Sequence, residues 1–205
     1  MKVLAFGAHP DDVEVGMGGT VARHADRGDT VTMVVATSFP DNEQDERWRE
    51  ARDAVEILGC ELDILDVPLD DIRYDRQLVG EVDHLLEYYD PEVVYVPWHY
   101  DSHQDHRHLA RAVIAATRKN HESVYMYGPT IPGGITPHEF RPQHYVDVTD
   151  SIDRKIDSLR AHGSQVEKHG ETWLEAVRGR AAYRGYEANC DYAEAFEVVK
   201  QHADL

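Results

Sequence analysis

Two hydrophobic patterns take turns along the chain. Short apolar runs at residues 2–8, Thr30–Thr37 (TVTMVVAT) and 92–98 (EVVYVPW) have strand length, are rich in strand formers, and lack the polar alternation of a half-exposed strand. They read as strands buried on both faces. Between them lie segments with the 3.6-residue period of a helix: 18–25, ending near Gly28; Glu46–Leu58, stopped by Gly59; 78–89; and 106–119. A shorter strand is predicted at 63–67, and two more at 124–127 and 144–148, separated by a Pro/Gly-rich loop over 128–142. The last third predicts a helix from 152 to about 162 and another stretch around 171–178. Strands alternating with helices at this spacing predict right-handed βαβ units. The expected fold is α/β and Rossmann-like, a mainly parallel twisted sheet with helices on both faces, forming a single domain over residues 1–205.

Composition narrows the functions open to such a domain. With 205 residues, 41% of them hydrophobic, the chain can bury one sizeable core. Acidic residues outnumber basic ones 39 to 21, for a formal net charge of -18, and a field of that sign repels phosphate backbones and anionic headgroups. Neither a nucleic acid nor a membrane is an expected partner. The opening apolar run is interrupted by Pro10-Asp11-Asp12, and no run approaches the roughly 20 residues of a spanning helix, so a cytoplasmic protein is expected. Cys60 and Cys190 lie 130 positions apart without CxxC spacing, which argues against a disulfide framework or a cysteine zinc site. Only five of the basic residues are Lys, and so acidic a surface would also suit a high-salt cytoplasm.

Ligands of open α/β sheets bind beyond the carboxyl ends of the strands, where strand order reverses. Two unusual segments follow strands directly: Ala8-His9-Pro10-Asp11-Asp12-Val13-Glu14 and His99-Tyr100-Asp101-Ser102-His103-Gln104-Asp105-His106. Neither GxGxxG nor GxxxxGK[ST] accompanies them, which leaves the usual dinucleotide and P-loop readings without residue-level support. An imidazole and two carboxylates on one turn, facing further imidazoles, form a nitrogen and oxygen set suited to zinc or a similar divalent ion. Contiguous carboxylates allow one to hold metal while the other serves as base. The plainer alternative is that His9, Asp11 and Asp12 only cap the strand-to-helix turn. The residues do not say which of Asp11 and Asp12 would be the ligand, and His99 stands as an alternative to His106.

These motifs resemble the PIG-L/LmbE-like family of zinc-dependent N-deacetylases. Ala8-His9-Pro10-Asp11-Asp12-x-Glu14 is similar to its AHPDDxE signature, and His103-Gln104-Asp105-His106 to its HxDH signature. Arg47-x-x-Glu50, His162-x-Ser164-Gln165 and the segment from Tyr192 to Phe196 add support in the same order. The resemblance implies a hydrolase that removes the acetyl group from an amino sugar or glycoconjugate. It implies zinc held by His9, Asp12 and His106, Asp11 as general base, and His103, oriented by Asp105 as an imidazolium, stabilising the intermediate or leaving group. Arg47 and Tyr192 are candidate substrate contacts, and Glu14 a support for the metal turn. Trp48 and Trp98 could stack on a sugar, while His24, His84, His121 and His202 read as solvated surface residues. The expected partner is a small N-acetylated molecule, water-soluble because no membrane anchor is evident, and a homo-oligomer is compatible with the sequence. A non-sugar amide is the competing substrate, and a non-catalytic metal- or nucleotide-binding domain the competing class.

Overall fold

The computed structural model describes residues 1–37, 46–68, 71–129 and 136–202. In chain order its elements are β1 (Lys2–Gly7), α1 (Asp12–Asp26), β2 (Thr30–Thr37), α2 (Glu46–Leu58), β3 (Glu61–Val67), α3 (Arg76–Tyr89), β4 (Val93–Pro97) and α4 (Gln104–Ala116). A short 3₁₀ turn, Thr117–Lys119, leads to β5 (Ser123–Tyr127) and β6 (His144–Asp147), followed by α5 (Ile152–Ala161), α6 (Gly163–His169), α7 (Glu171–Ala188) and β7 (Ala193–Lys200). The seven strands form one sheet in the order β3-β2-β1-β4-β5-β7-β6. The first five are parallel, and β7 runs antiparallel to both β5 and β6. Of the expected 128–142 loop, residues 130–135 lie outside the described residues.

Strand period fixes two cores, one on each face. Leu4 and Phe6 of β1 join Val94, Val96, Val124 and Met126 under α3 and α4. Val3 and Ala5, pointing the other way, join Met33, Tyr95 and Tyr127 beneath α1 and α2. A third cluster, including Val15, Leu159, Trp173 and Leu174, fastens α5 and α7 over α1. Among the described residues no helix is long and apolar enough to cross a membrane.

Helix α1 departs most from expectation. It begins at Asp12, six residues before the helix read from sequence, and it is broken at Met17, whose φ of -153° and ψ of 24° are non-helical. A break inside a buried helix strands backbone donors and acceptors that must find other partners. Here the N–H groups of Gly19 and Thr20 donate to the two oxygens of Glu194 at 3.0 and 2.6 Å. On the other side of the break, the Val15 carbonyl accepts from Lys155 Nζ at 3.0 Å and Arg180 Nη2 at 2.8 Å. Lys155 and Glu194 pair with each other, 2% and 4% exposed. A buried lysine and a buried carboxylate thus splice the helix. Gly16 and Gly19 let the spliced helix lie close to its neighbours: a Cβ at Gly16 would collide with the Tyr127 ring, and one at Gly19 would stand 2.8 Å from Val148.

One further element is not predicted from the sequence, and the expectation for His24 needs correction. The segment after Tyr192 is the inner strand β7, because its acidic residues are consumed internally: Glu194 by α1 and Glu197 by the Arg141 N–H at 2.5 Å. His24 is buried rather than solvated, held between Asp29 Oδ2 at 2.7 Å and the Tyr95 hydroxyl at 3.1 Å.

Glu194→Leu is expected to destabilise the protein by about 3–5 kcal/mol in denaturant unfolding, because it leaves a buried lysine uncompensated. Lys155→Met combined with Glu194→Leu is expected to remain at least about 2 kcal/mol below wild type, since the N–H groups of Gly19 and Thr20 stay buried without acceptors. Wild-type stability in that double variant would show that the break needs no carboxylate. Gly16→Ala is expected to cost about 1–3 kcal/mol through overpacking against Tyr127. Gly179→Ala on α7, where a Cβ meets nothing within 4 Å, should be neutral or stabilising by up to about 1 kcal/mol.

Candidate active site

Strand β1 is flanked by β2 on one side and β4 on the other, so chain order reverses there and a crevice opens beyond the two carboxyl ends. The turn from β1 into α1 passes through Asp11 at φ 94°, the left-handed region that aspartate tolerates better than most side chains. One carboxylate ties this turn. Asp12 Oδ2 accepts from the N–H groups of Ala8 and His9, each at 2.9 Å. Asp11, at the N-cap position, makes no capping hydrogen bond with its side chain. The two adjacent carboxylates therefore have different tasks, and capping is not the task of Asp11.

The second wall comes from β4 and α4. Asp101 Oδ1 accepts from the His103 N–H at 2.9 Å, and His103 Nδ1, at the N-cap of α4, accepts from the Asp105 N–H at 3.2 Å. His106 lies on the first turn of α4, only 1% exposed. Its Nε2 stands 3.1 Å from Asp12 Oδ1 and its Nδ1 3.2 Å from Asp101 Oδ2. His9 Nε2 stands 3.1 Å from Asp105 Oδ2, while its Nδ1 is 3.7 Å from Asp12 Oδ2. One ring nitrogen from each of His9, His103 and His106 lies within 4.8 Å of the others. Imidazole nitrogens beside the Asp12 carboxylate make a donor set that fits a borderline-soft divalent ion. Each of His9 and His106 also has a further carboxylate behind it, the arrangement that orients metal-ligating histidines.

Charge separates the neighbouring groups. Burial, helped by the negative charge of Asp12, raises the pKa of Asp11 to about 7, against the opposing pull of Arg47 and His162. Burial would also raise Asp12, but His106 and His9 outweigh it and hold that carboxyl well below its ordinary range. His106 shows the converse: burial disfavours its charge, yet Asp12 and Asp101 prevail and raise its pKa to about 10. A positive charge at this point is stabilised from two sides, as a site for a cation requires.

Arg47, Gln165, Lys168, His169 and Trp173 line the same cavity as the histidines, with a volume of about 360 Å³. Arg47 Nη2 donates to the Pro10 carbonyl at 2.6 Å and lies 3.6 Å from Asp11 Oδ1. Behind this wall the sequence motifs meet one another. His162 Nε2 is 2.9 Å from Glu14 Oε1, both buried, and Glu50 accepts from Ser164 N at 2.5 Å and from Ser164 Oγ at 2.7 Å.

The structure thus brings His9, Asp11, Asp12, Arg47, His103 and His106 to one cavity, with Asp105 behind His9. Tyr192 is not at this cavity: it precedes β7, with the Arg178 guanidinium 5.8 Å above its ring. Asp105, which the resemblance pairs with His103, lies between two imidazoles. Its carboxylate is nearer His9 than His103, at 3.1 against 3.8 Å, and the hydrogen bond at His103 Nδ1 comes from the Asp105 backbone. Burial and the neighbouring His106 and His9 lower the His103 pKa, so an imidazolium is disfavoured there. His99 turns away toward Met126 Sδ at 2.9 Å, and Trp98 is buried at 1% exposure. Sequence reasoning missed Asp101, Lys168, His169 and Trp173. Asp101 carried a local signal, a carboxylate five residues before His106; the others reach the cavity only because α6 and α7 fold over α1.

A model of the PIG-L family, described as GlcNAc-PI de-N-acetylase, matches residues 4–117. The diacetylchitobiose deacetylase of Thermococcus kodakarensis is 28% identical over an alignment that spans 97% of this chain and 83% of that one. The 4-oxalmesaconate hydratase of Pseudomonas putida is 25% identical, spanning 97% and 89%. In structure, the conserved protein TT1542 of Thermus thermophilus superposes with a TM-score of 0.84 at 26% identity, over 99% of this chain and 96% of that one. With its family match running through both site segments and its fold shared from end to end, the chain belongs to the PIG-L family.

Proposed function

We propose that the protein is a zinc-dependent N-deacetylase that hydrolyses the acetamido group of an amino sugar or a soluble glycoconjugate of one. The observation that carries this reading is the division between Asp11 and Asp12: adjacent carboxylates, one tied into the turn and facing His106, the other bearing a pKa raised to about 7. A pure binding site needs only the first. Groups whose environments drive their pKa values apart mark an acid and base assignment. His9, Asp12 and His106 would hold the ion. When bound, a divalent ion supplies Lewis acidity, polarising the amide carbonyl and making a water easier to deprotonate.

Asp11 takes the proton as the water oxygen attacks the acetyl carbon, and delivers it to the nitrogen as the C–N bond breaks. Acetate and a free amine leave. Because His103 Nδ1 is occupied as an acceptor, the proton of its neutral ring sits on Nε2, where it is available to donate toward the carbonyl oxygen as charge develops there. Arg47, tethered to Pro10, steers a substrate hydroxyl or other acceptor beside Asp11. A second reading, addition of water to a carbon–carbon double bond, is favoured by the hydratase relative that matches 97% of the chain. Both reactions begin with deprotonation of water, but only deacetylation releases acetate.

Acetate release from a panel of N-acetyl sugars, sugar conjugates and simple acetamides, with and without added zinc, tests the proposal. Zinc-stimulated release from sugar substrates is expected; none from any acetamide would favour the hydratase reading. Asp11→Asn is expected to retain zinc and lower turnover about 10²- to 10⁴-fold, and near-native turnover at saturating zinc would exclude Asp11 as base. By elemental analysis, His9→Ala and His106→Ala are expected to lose zinc, while His103→Ala keeps it and loses turnover. Loss of zinc from His103→Ala with retention in His106→Ala would reverse the ligand assignment.

A further inference from the structure

The outer face of α7 carries a pattern that its own fold does not use. Trp173, Leu174, Val177, Ala181 and Gly185 turn inward and are buried. Opposite them run Thr172, Ala176, Gly179, Tyr183 and Tyr186, at spacings of four, three, four and three, and all five are exposed. That alternation is the seam along which one helix meets another. Tyr183 is 61% and Tyr186 87% exposed, the latter more than any other large hydrophobic side chain among the described residues. Gly179 stands in mid-helix, where glycine weakens the element, and a Cβ there would meet nothing within 4 Å. Nothing inside the chain calls for it.

The same face escapes the acidity of the rest. With a net charge of -18, two copies of this chain repel each other over most of their surfaces. On α7 the charges are held internally: Arg178 pairs with Asp153 at 2.6 Å, Arg184 with Glu187 at 2.7 Å and Glu171 with Arg160 at 3.2 Å. Arg180 donates to the carbonyls of Val15 and Pro129. Glu175 is the one carboxylate of α7 without an ion pair among the described residues, and it lies outside the seam. Exposed tyrosines are ordinary when scattered. Five uncharged positions in helical register, opposite the buried stripe of an acidic protein, are not scattered.

We propose that α7 is an interface between two copies of this chain, the helices packing antiparallel about a two-fold axis at Gly179. Side-chain sizes match in that direction alone. Tyr186 lies seven residues after Gly179 and Thr172 seven before it, while Tyr183 lies four after and Ala176 three before. The bulky end of each helix therefore meets the small end of the other, and parallel helices would set tyrosine against tyrosine. A small residue at the axis lets the two backbones close. The four tyrosine rings that two copies bring account for about half of the roughly 1,200–2,000 Å² that a specific interface buries. Tyr145 of β6, 36% exposed and donating from its hydroxyl to Glu187 at 3.2 Å, extends the patch beyond α7.

Sedimentation equilibrium of the full chain over about 1–100 μM, the range of modest affinities, measures association at low and high salt. Wild type is expected to associate, and more tightly at high salt, because screening weakens the repulsion between acidic copies and leaves the apolar seam intact. Tyr186→Ser is expected to raise the dissociation constant at least about tenfold. The most specific arm exchanges sizes across the seam. Ala176→Tyr and Tyr183→Ala are each expected to weaken association, and the two together to restore it to within about threefold of wild type, since each copy then offers the ring that the other lacks. All of these positions are exposed, and wild-type circular dichroism in every variant separates lost association from lost fold. Three results would overturn the interface: a wild type that stays monomeric at both salts, an assembly of unchanged mass and affinity in Tyr186→Ser, or a double variant no tighter than the better of its two parents.

Discussion

The break at Met17 and its repair by Lys155 and Glu194 hold the molecule together at its most demanding point. A continuous helix from Asp12 to Asp26 would satisfy its own backbone and need nothing from the rest of the chain. The broken one requires a carboxylate from β7, an ammonium from α5 and a guanidinium from α7, all converging on residues 15–20. Three late elements are thereby committed to one early helix. A buried ion pair is ordinarily weak evidence for stability. Here the pair serves less as two charges attracting than as donor and acceptor for backbone groups that no neighbouring strand or helix can reach.

That repair matters for chemistry because the first turn of α1 carries Asp11 and Asp12. Their carboxylates differ by one position in sequence and by opposite environments in space. Asp12 is surrounded by N–H groups and imidazoles, which stabilise its charge; Asp11 has burial and a like charge for company, which destabilise it. No change of residue type is needed for this contrast. The left-handed turn at Asp11 delivers it by sending consecutive side chains into different surroundings.

Much of this was legible in the chain itself. The five parallel strands announce themselves as runs of strand length, apolar throughout in β1, β2 and β4, and the two site segments as dense groups of imidazole and carboxylate placed just after strands. What escaped was hidden by compensation at a distance. Strand β7 carries glutamates at inward positions, so its hydrophobic signature is diluted, and partners distant in sequence make those positions tolerable: Gly19, Thr20 and Lys155 for Glu194, and Arg141 for Glu197. The beginning of α1 was concealed by its own break, since the regular helical pattern resumes only after Met17. The α6 side of the cavity had no local marker, because Lys168, His169 and Trp173 acquire meaning only once α6 and α7 have folded back over α1. The resemblance gives Asp105 to His103, and side-chain direction on α4 brings its carboxylate nearer to His9.

The place of β7 in the sheet governs the order in which the molecule can be assembled. Strands β1 to β5 find their neighbours as they emerge during synthesis, but β6 lies at the edge with β7 as its neighbour, and β7 comes last. Until residue 194 has been made, the N–H groups of Gly19 and Thr20 have no acceptor, and α1 cannot settle into its final form. The nascent chain therefore holds its site motif, complete in sequence from residue 106 onward, in an unfinished state through the synthesis of the next 88 residues. Long-range closures of this kind are slow steps. The turn that carries Asp11 and Asp12 therefore gains its last support only with the last strand.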